Sequence, residues 1–435
     1  MGTIRQGLLI GTALLTVAGI ARADETVRVL ESMDAKLQLG TVEFAGGKTL
    51  DLTIGIGSAL FHMPGDPKDE FYALTDRGPN IDCSASEKIT GMPTALACAG
   101  DDKAKLFPRP DFVPSIVKVK LNDDGTFVTT EWIQLKDAAG KTITGLSNPL
   151  KAAKTEAAFD KDGKQLPFDP NGLDTEGLVR LKDGTFWIGE EYGPSLVHVA
   201  ADGKIIERLV PQGLEGDLSG ATYKVTGALP AILMKRQLNR GIEGIALAPD
   251  ESALYTIVQN PLANPDADAY KKATATRILK FDLKSQQVVG EYVYTLDPAE
   301  SFKNDKSDKQ SDVRISELTA VGVDKLIVLE RIAKTTKLHA IDLSAATNIL
   351  GTDWDKAETS PSLEQIAAAD LAGKGITPVT KRLWLDSSTY PELPEKVEGV
   401  AIVEGKELVL INDDDFGIEG AKTRIVRLTM PDAAF

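Results

Sequence analysis

An all-β fold of propeller type, with five or six four-stranded blades, loop insertions and one short inserted helix, is predicted by three observations. An acidic motif recurs at strand starts, about four short β runs follow each copy, and little helical periodicity lies between them. The motif reads "DTEGLVRL" (174–181), "GIEGIALA" (241–248), "RISELTAV" (314–321) and "KVEGVAIV" (396–403). A weaker copy is "GIGSALFH" (55–62), where Ser58 takes the glutamate position. Glu176, Glu243, Glu317 and Glu398 stand 67, 74 and 81 residues apart, more than a bare blade needs. The polar tracts "NPLANPDADAYKKAT" and "DPAESFKNDKSDKQSD" are therefore read as insertions.

In chain order, the start carries Arg5, an apolar run from Leu8 to Ile20 and Ala21-Arg22-Ala23. That is the pattern of a secretory signal peptide over residues 1–23, leaving 24–435 as one propeller domain. The 13-residue run is well short of the roughly 20 that a membrane-spanning helix needs, and no later run comes closer. A periplasmic or secreted protein without a membrane span, and a monomer, is expected. Losing Arg5 and Arg22 takes the net charge from −15 to −17, which makes nucleic acid an improbable partner.

Next, "ETVRVLE" (25–31) offers the last unit its missing fourth strand, which would close the ring and remove an exposed sheet edge. A sixth blade from residues 26–50 is the competing count. Cys83 and Cys98, 15 residues apart in a loop-like stretch, are expected to form a structural disulfide in an oxidising compartment. The helix is placed in "SPSLEQIAAADLAGKG" (360–375), with Ser360 as N-cap, Pro361 at the first helical position and Gly373 past the end.

The second β run of each unit ends in polar residues: "TFWIGEEYG", "ALYTIVQNP", "KLIVLERIA", "ELVLINDDDFG" and "FYALTDRGPN". A two-residue turn at Asp183-Gly184 would set Glu176 opposite Glu191. The other units would pair Glu243 with Asn260, Glu317 with Glu330 and Arg331, Glu398 with Asn412 and Asp413, and Ser58 with Asp76 and Arg77. All these ends share one edge, so carboxylates should crowd one mouth of the central channel. Two like charges 4 Å apart repel by about 4 kcal/mol at an effective dielectric of 20, so the crowd must share protons, recruit arginines or hold a cation. Oxygen ligands alone suit a hard divalent ion, Ca²⁺ first. Three scattered histidines, His62, His198 and His339, do not suit zinc. The expected ligands are Asp76, Glu176, Glu243, Glu317, Glu398 and Asp413. For any one of these acids, pinning blades together by accepting backbone N–H bonds is an equally good reading.

Arg77, Arg240, Arg314 and Arg331 stand beside the acids, which fits an anion bridged by a metal as well as plain ion pairing. No G-x-S-x-G elbow, phosphate loop, C-x-x-C or H-E-x-x-H occurs.

The runs "TEGLVRLKDGTFWIGEEYGPSL", "YALTDRGPN", "NRGIEGIALAPDESALYTIVQNPL", "RISELTAV" and "VEGVAIVEGKELVLINDDDFG" resemble the phytase-like family, described as having esterase-like activity of phytase, over roughly residues 50–430. The resemblance implies an exported propeller with a phosphoesterase role. It carries over the acidic positions Asp76, Glu176, Glu190, Glu191, Glu243, Glu317, Glu330, Glu398, Asp413 and Asp414. The expected activity is metal-dependent hydrolysis of a small phosphorylated substrate, with Glu191 or Glu190 as general base and Arg77 and Arg331 holding the anion. A metal-dependent lactonase or carboxylic esterase is the first alternative. A non-catalytic binding propeller with structural ions is the second.

Overall fold

A computed structural model describes residues 27–435; the signal peptide expected over residues 1–23 lies outside the described residues. Five meander sheets follow one another along the chain. Sheet one holds Ala59–Phe61, Glu70–Leu74, Ser115–Leu121 and Phe127–Gln134. Sheet two holds Thr175–Arg180, Phe186–Glu190, Ser195–Val199 and Ile205–Pro211, with Lys224–Leu229 added in parallel at its edge. Sheet three runs Ile242–Leu247, Ala253–Val258, Ala275–Asp282 and Gln287–Thr295. Sheet four runs Arg314–Gly322, Lys325–Arg331, Thr336–Asp342 and Thr380–Asp386. Sheet five runs Val397–Val403, Glu407–Asn412 and Arg424–Thr429, and its fourth strand is Val27–Glu31 from the other end of the chain.

The first strands of the five sheets lie side by side in order, and that of sheet five returns to that of sheet one. The apolar core is divided accordingly. Tyr72 and Leu74 meet Leu178 and Ile188 between sheets one and two. Trp187 and Leu196 meet Ile245 and Leu254 between two and three, and Tyr255 and Ile257 meet Leu318 and Val328 between three and four. Leu329 meets Val400 and Leu410 between four and five, while Ile411 and Val409 meet Leu60 and Val117 between five and one. First strands are thus covered on both faces, which is why "EGLVR" and "EGIAL" read as continuous apolar runs. The glycine after the glutamate answers to the same crowding: a Cβ on Gly177 would come within 2.8 Å of the Glu243 carbonyl oxygen, and one on Gly244 within 2.7 Å of the Leu318 nitrogen.

Residues 38–53 form a two-stranded hairpin, Gln38–Glu43 with Thr49–Thr53, and no further four-stranded unit. A separate small sheet (Ile81–Asp82, Lys105–Phe107, Ala158–Asp160, Gln165–Leu166) joins this hairpin over the core of Phe44, Met92, Leu106 and Phe159. Cys83 and Cys98 are bonded there, with Cα atoms 6.1 Å apart.

The expected helix at 360–375 is absent. Three short 3₁₀ turns stand in its place, Leu363–Gln365, Ala368–Asp370 and Ala372–Lys374, and the cap is Ser362, in a capping box with Gln365. Neighbouring Leu363 and Glu364 are both buried, Leu363 in an apolar cluster with Val293 and Ile349 and Glu364 on Arg277 at 2.8 Å. A regular helix turns successive side chains about 100° apart and cannot serve both. Of the polar insertions, 260–274 contains a short helix, Ala267–Lys272, capped by Asp266.

Candidate functional site

The hairpin register differs by one residue from the expected one. Leu181 and Thr185 close the turn around Asp183-Gly184, and Leu178 pairs with Ile188. A bulge then intervenes: Thr175 pairs with Glu190 and Gly177 with Gly189, leaving Glu176 as the extra residue. The same irregularity falls at Glu243, between Ile242 and Gly244, and at Glu398, between Val397 and Gly399. A bulge re-aims its side chain out of the ladder, and here the three glutamates turn toward the axis. In sheet four the bulged residue is Ser316, and Glu317 stands in the glycine's place. In sheet one Ala59 pairs with Leu74 as Gly177 pairs with Gly189, so Ala59 stands in the glycine's place and Ser58 at the glutamate position, as expected.

Strand alternation sorts the ends of the second strands. Side chains of successive residues point to opposite faces, so Glu191, Gln259, Arg331 and Asp413 face the axis while Glu190, Val258, Glu330 and Asn412 face away. One cavity of about 380 Å³ collects Asp76, Arg77, Asp174, Glu176, Glu191, Arg240, Glu243, Gln259, Arg314, Arg331, Lys396, Glu398 and Asp413. Ile81, Asp82 and Lys105 of the disulfide-bearing cap and Glu419 form its rim.

The expected partner of Glu243, Asn260, turns elsewhere and donates to the Val313 carbonyl at 2.7 Å; Gln259 lies beside Glu243 instead. Glu317 lies deeper on the axis and outside this cavity. It accepts from the Leu318 N–H at 2.9 Å and bonds to backbone of Ile245 and Leu60, tying three sheets, and burial pushes its carboxyl well up. Glu190 is also outside. Its carboxylate takes Arg208 at 2.7 Å, the Ser195 hydroxyl at 2.8 Å and the N–H groups of Asp174, Tyr192 and Gly193, so a role as base has no free oxygen to work with. Glu330 is spoken for by Tyr294, Lys381 and the Asp297 N–H. Asp414 accepts from Thr53 and from the Phe416 N–H.

The acids that remain at the mouth are short of partners. Both Asp174 oxygens, Glu191 Oε1 and Glu243 Oε2 are buried without a hydrogen bond. Arg77 approaches Asp174 only as an ion pair at 3.4 Å, and Arg240 approaches Glu191 at 3.7 Å. Burial followed by the charge of neighbouring carboxylates pushes Asp76, Glu176 and Glu191 well above the usual range; burial also raises Glu243 and Asp413. Two triads could each hold an ion, Asp76 with Asp174 and Glu176, and Glu176 with Glu191 and Glu243.

The guanidinium groups divide into spent and free. Arg77 is clamped on Glu156 at 3.2 Å, and Arg331 on Glu398, the Ser316 hydroxyl and the Ile332 carbonyl. Arg314 has no ion pair and no side-chain hydrogen bond among the described residues. Repulsion from Arg240, with burial and Arg331 behind it, lowers Arg314 to about 9. An anion beside it would relieve that repulsion.

Asp174, Gln259 and Lys396 escaped sequence reasoning. Asp174, Arg314 and Lys396 all sit two residues before the bulge position, and the polar residue in that first column of the aligned motifs was the signal for Asp174 and Lys396.

Residues 53–416 match the family model described as "Phytase-like: Esterase-like activity of phytase". The chain belongs to this phytase-like family. It is 25% identical over 252 residues to an uncharacterized secreted protein of Arthroderma benhamiae, covering 51% of this chain. The chain spans about half (48%) of the length of that curated relative. Among solved structures it is distantly similar to a luciferin-regenerating enzyme (10% identity, 94% of this chain and 97% of that one, TM-score 0.34). It has a similarly distant likeness to a catalytically inactive virginiamycin B lyase of Staphylococcus aureus with quinupristin (12% identity, 94% and 100%, TM-score 0.35). Among the described residues of this phytase-like chain, no helix is long and apolar enough to cross a membrane.

Proposed function

We propose that this phytase-like protein is an exported, metal-dependent phosphoesterase working at the acidic mouth of a five-bladed propeller formed by residues 24–435. One observation carries the reading: buried carboxylate oxygens without hydrogen bonds share a cavity with Arg314, a guanidinium with no ion pair or side-chain hydrogen bond among the described residues. Oxygen-only donors in such number fit a hard divalent ion, Ca²⁺ first, held by Asp76, Asp174, Glu176, Glu191 and Glu243. Bound there, the ion supplies Lewis-acid polarisation of a phosphoryl oxygen and a more acidic water. Arg314, with Arg240 beside it, binds the phosphoryl oxygens of a small anionic substrate, and Arg77 and Arg331 hold the acidic walls in place. Glu191, on the cavity wall, takes the proton of the attacking water as general base with the carboxylate oxygen it does not give to the ion. The disulfide-stapled cap over the rim limits water and substrate size.

The test is hydrolysis of aryl phosphomonoesters and phosphodiesters by purified protein with Ca²⁺ and with chelator. Turnover that needs Ca²⁺ supports the reading, and phosphatase activity indifferent to chelation overturns it. Turnover of lactones or carboxylic esters alone would transfer the same site to carbonyl chemistry. A chelator-sensitive melt with no hydrolysis on any ester would leave a binding propeller.

A further inference from the structure

We propose that the mouth holds two divalent cations side by side, with Glu176 as the carboxylate shared between them. This rests on the reading of the mouth as a divalent-cation site, and deepens it from one ion to two. The two triads found there have Glu176 in common. Within each, the ligand oxygens lie within 4.8 Å of one another, which is about twice the ~2.4 Å of a Ca²⁺–oxygen bond. Asp76 and Asp174 do not join Glu191 and Glu243 in any single group of that size among the described residues. One ion can therefore satisfy one end of the acidic wall and leaves the other end as it was.

Each end has its own unsatisfied oxygens. Asp174 has two buried oxygens without a hydrogen bond at the first, and Glu191 Oε1 and Glu243 Oε2 stand the same way at the second. All three residues are at least nine-tenths buried.

Charge points to the same number. Asp82, Asp415 and Glu419 also line the cavity but are matched by Lys105, Lys396 and Lys88; the remaining lining acids, Asp76, Asp174, Glu176, Glu191, Glu243, Glu398 and Asp413, with Glu156 behind Arg77, make eight carboxylates. Four guanidinium groups oppose them, Arg77, Arg240, Arg314 and Arg331, because Lys396 is taken by Asp415. Four negative charges remain, and two divalent ions cancel them. A single ion would leave two, to be quenched by protons on buried carboxyls. With both ions in place, Arg314 no longer faces an excess of negative charge and is available to an incoming anion.

Calcium titration calorimetry on the full chain reads the stoichiometry directly, without any substrate. Two Ca²⁺ per chain are expected for the unaltered protein. Asp76→Asn and Glu243→Gln should each leave one ion, the double variant none, and Glu176→Gln should weaken both sites at least tenfold. One Ca²⁺ per chain in the unaltered protein, no Ca²⁺ at all, or a Glu176→Gln variant that keeps one site at full affinity overturns the proposal. Far-UV circular dichroism accompanies each variant, and should Glu176→Gln not fold, the two single variants and their double carry the test. Failure of the functional reading shows separately: two bound ions with no ester hydrolysis would remove the phosphoesterase and keep the ion pair, while hydrolysis at one ion per chain would do the reverse.

Discussion

Glu190 and Glu191 are neighbours on one strand end, equally buried, and chemically opposite in situation. Glu190 has five donors, Arg208 among them; Glu191 has a buried oxygen with none and an arginine at 3.7 Å. Burial alone therefore does not distinguish a carboxylate that the fold has satisfied from one that it has not. The count of donors does, because a desolvated oxygen that the fold leaves unmatched costs free energy until something else arrives to match it.

The sharpest way to break this contrast is to remove the donor. Arg208→Ala strands Glu190 as an uncompensated buried charge and should lower stability by about 3–5 kcal/mol in a denaturant titration. Glu191→Gln should do the reverse: hydrolysis falls by roughly 10²–10⁴, while the denaturation midpoint in chelator does not drop. A Glu191→Gln protein that unfolds as readily as Arg208→Ala would erase the distinction.

The pH response sharpens it further. Asp76, Glu176, Glu191 and Glu243 bind protons more tightly folded than unfolded. Their contribution is thus full below the unfolded value of about 4 and is lost as pH rises through the raised folded values; Asp414, at about 6, acts in the same direction. Without metal, this mouth destabilises the fold progressively as pH rises from the unfolded value of about 4 through the raised folded values. Ca²⁺ needs the deprotonated acids, so the gain in unfolding free energy on adding Ca²⁺ should grow over the same interval, reaching about 2.7 kcal/mol at a hundredfold excess over Kd. A gain that shrinks with rising pH would contradict the assignment. Smallest of all, the exposed Lys88–Glu419 pair at the rim should matter little. Lys88→Ala is expected to change stability by less than about 1 kcal/mol and leave hydrolysis unchanged.

Much of the architecture was legible in the sequence. The Glu-Gly repeat located the first strand of sheets two, three and five, and "ETVRVLE" supplied the fourth strand of sheet five, paired from Val27↔Leu428 to Glu31↔Arg424. Cys83 and Cys98 were within reach by spacing. The misreadings share a cause. "SPSLEQIAAADLAGKG" has good local helix signals, yet Arg277 on a distant strand draws in Glu364 and dissolves the helix into turns. The repeat in sheet four looks like its siblings, yet a bulge at Ser316 shifts Glu317 by one position and moves it from the mouth to the axis below.

By itself, the sequence determined that strands of this length would stack into repeating sheets and bring acids to one edge, since both follow from periodicity and local turn chemistry. Only the tertiary structure decided which of those acids find an arginine or backbone donors and which keep buried oxygens unmatched. Register in a β ladder has a period of two, so a single bulged residue reverses a side chain's direction, and the donors that settle each carboxylate's fate come from strands far away in the chain.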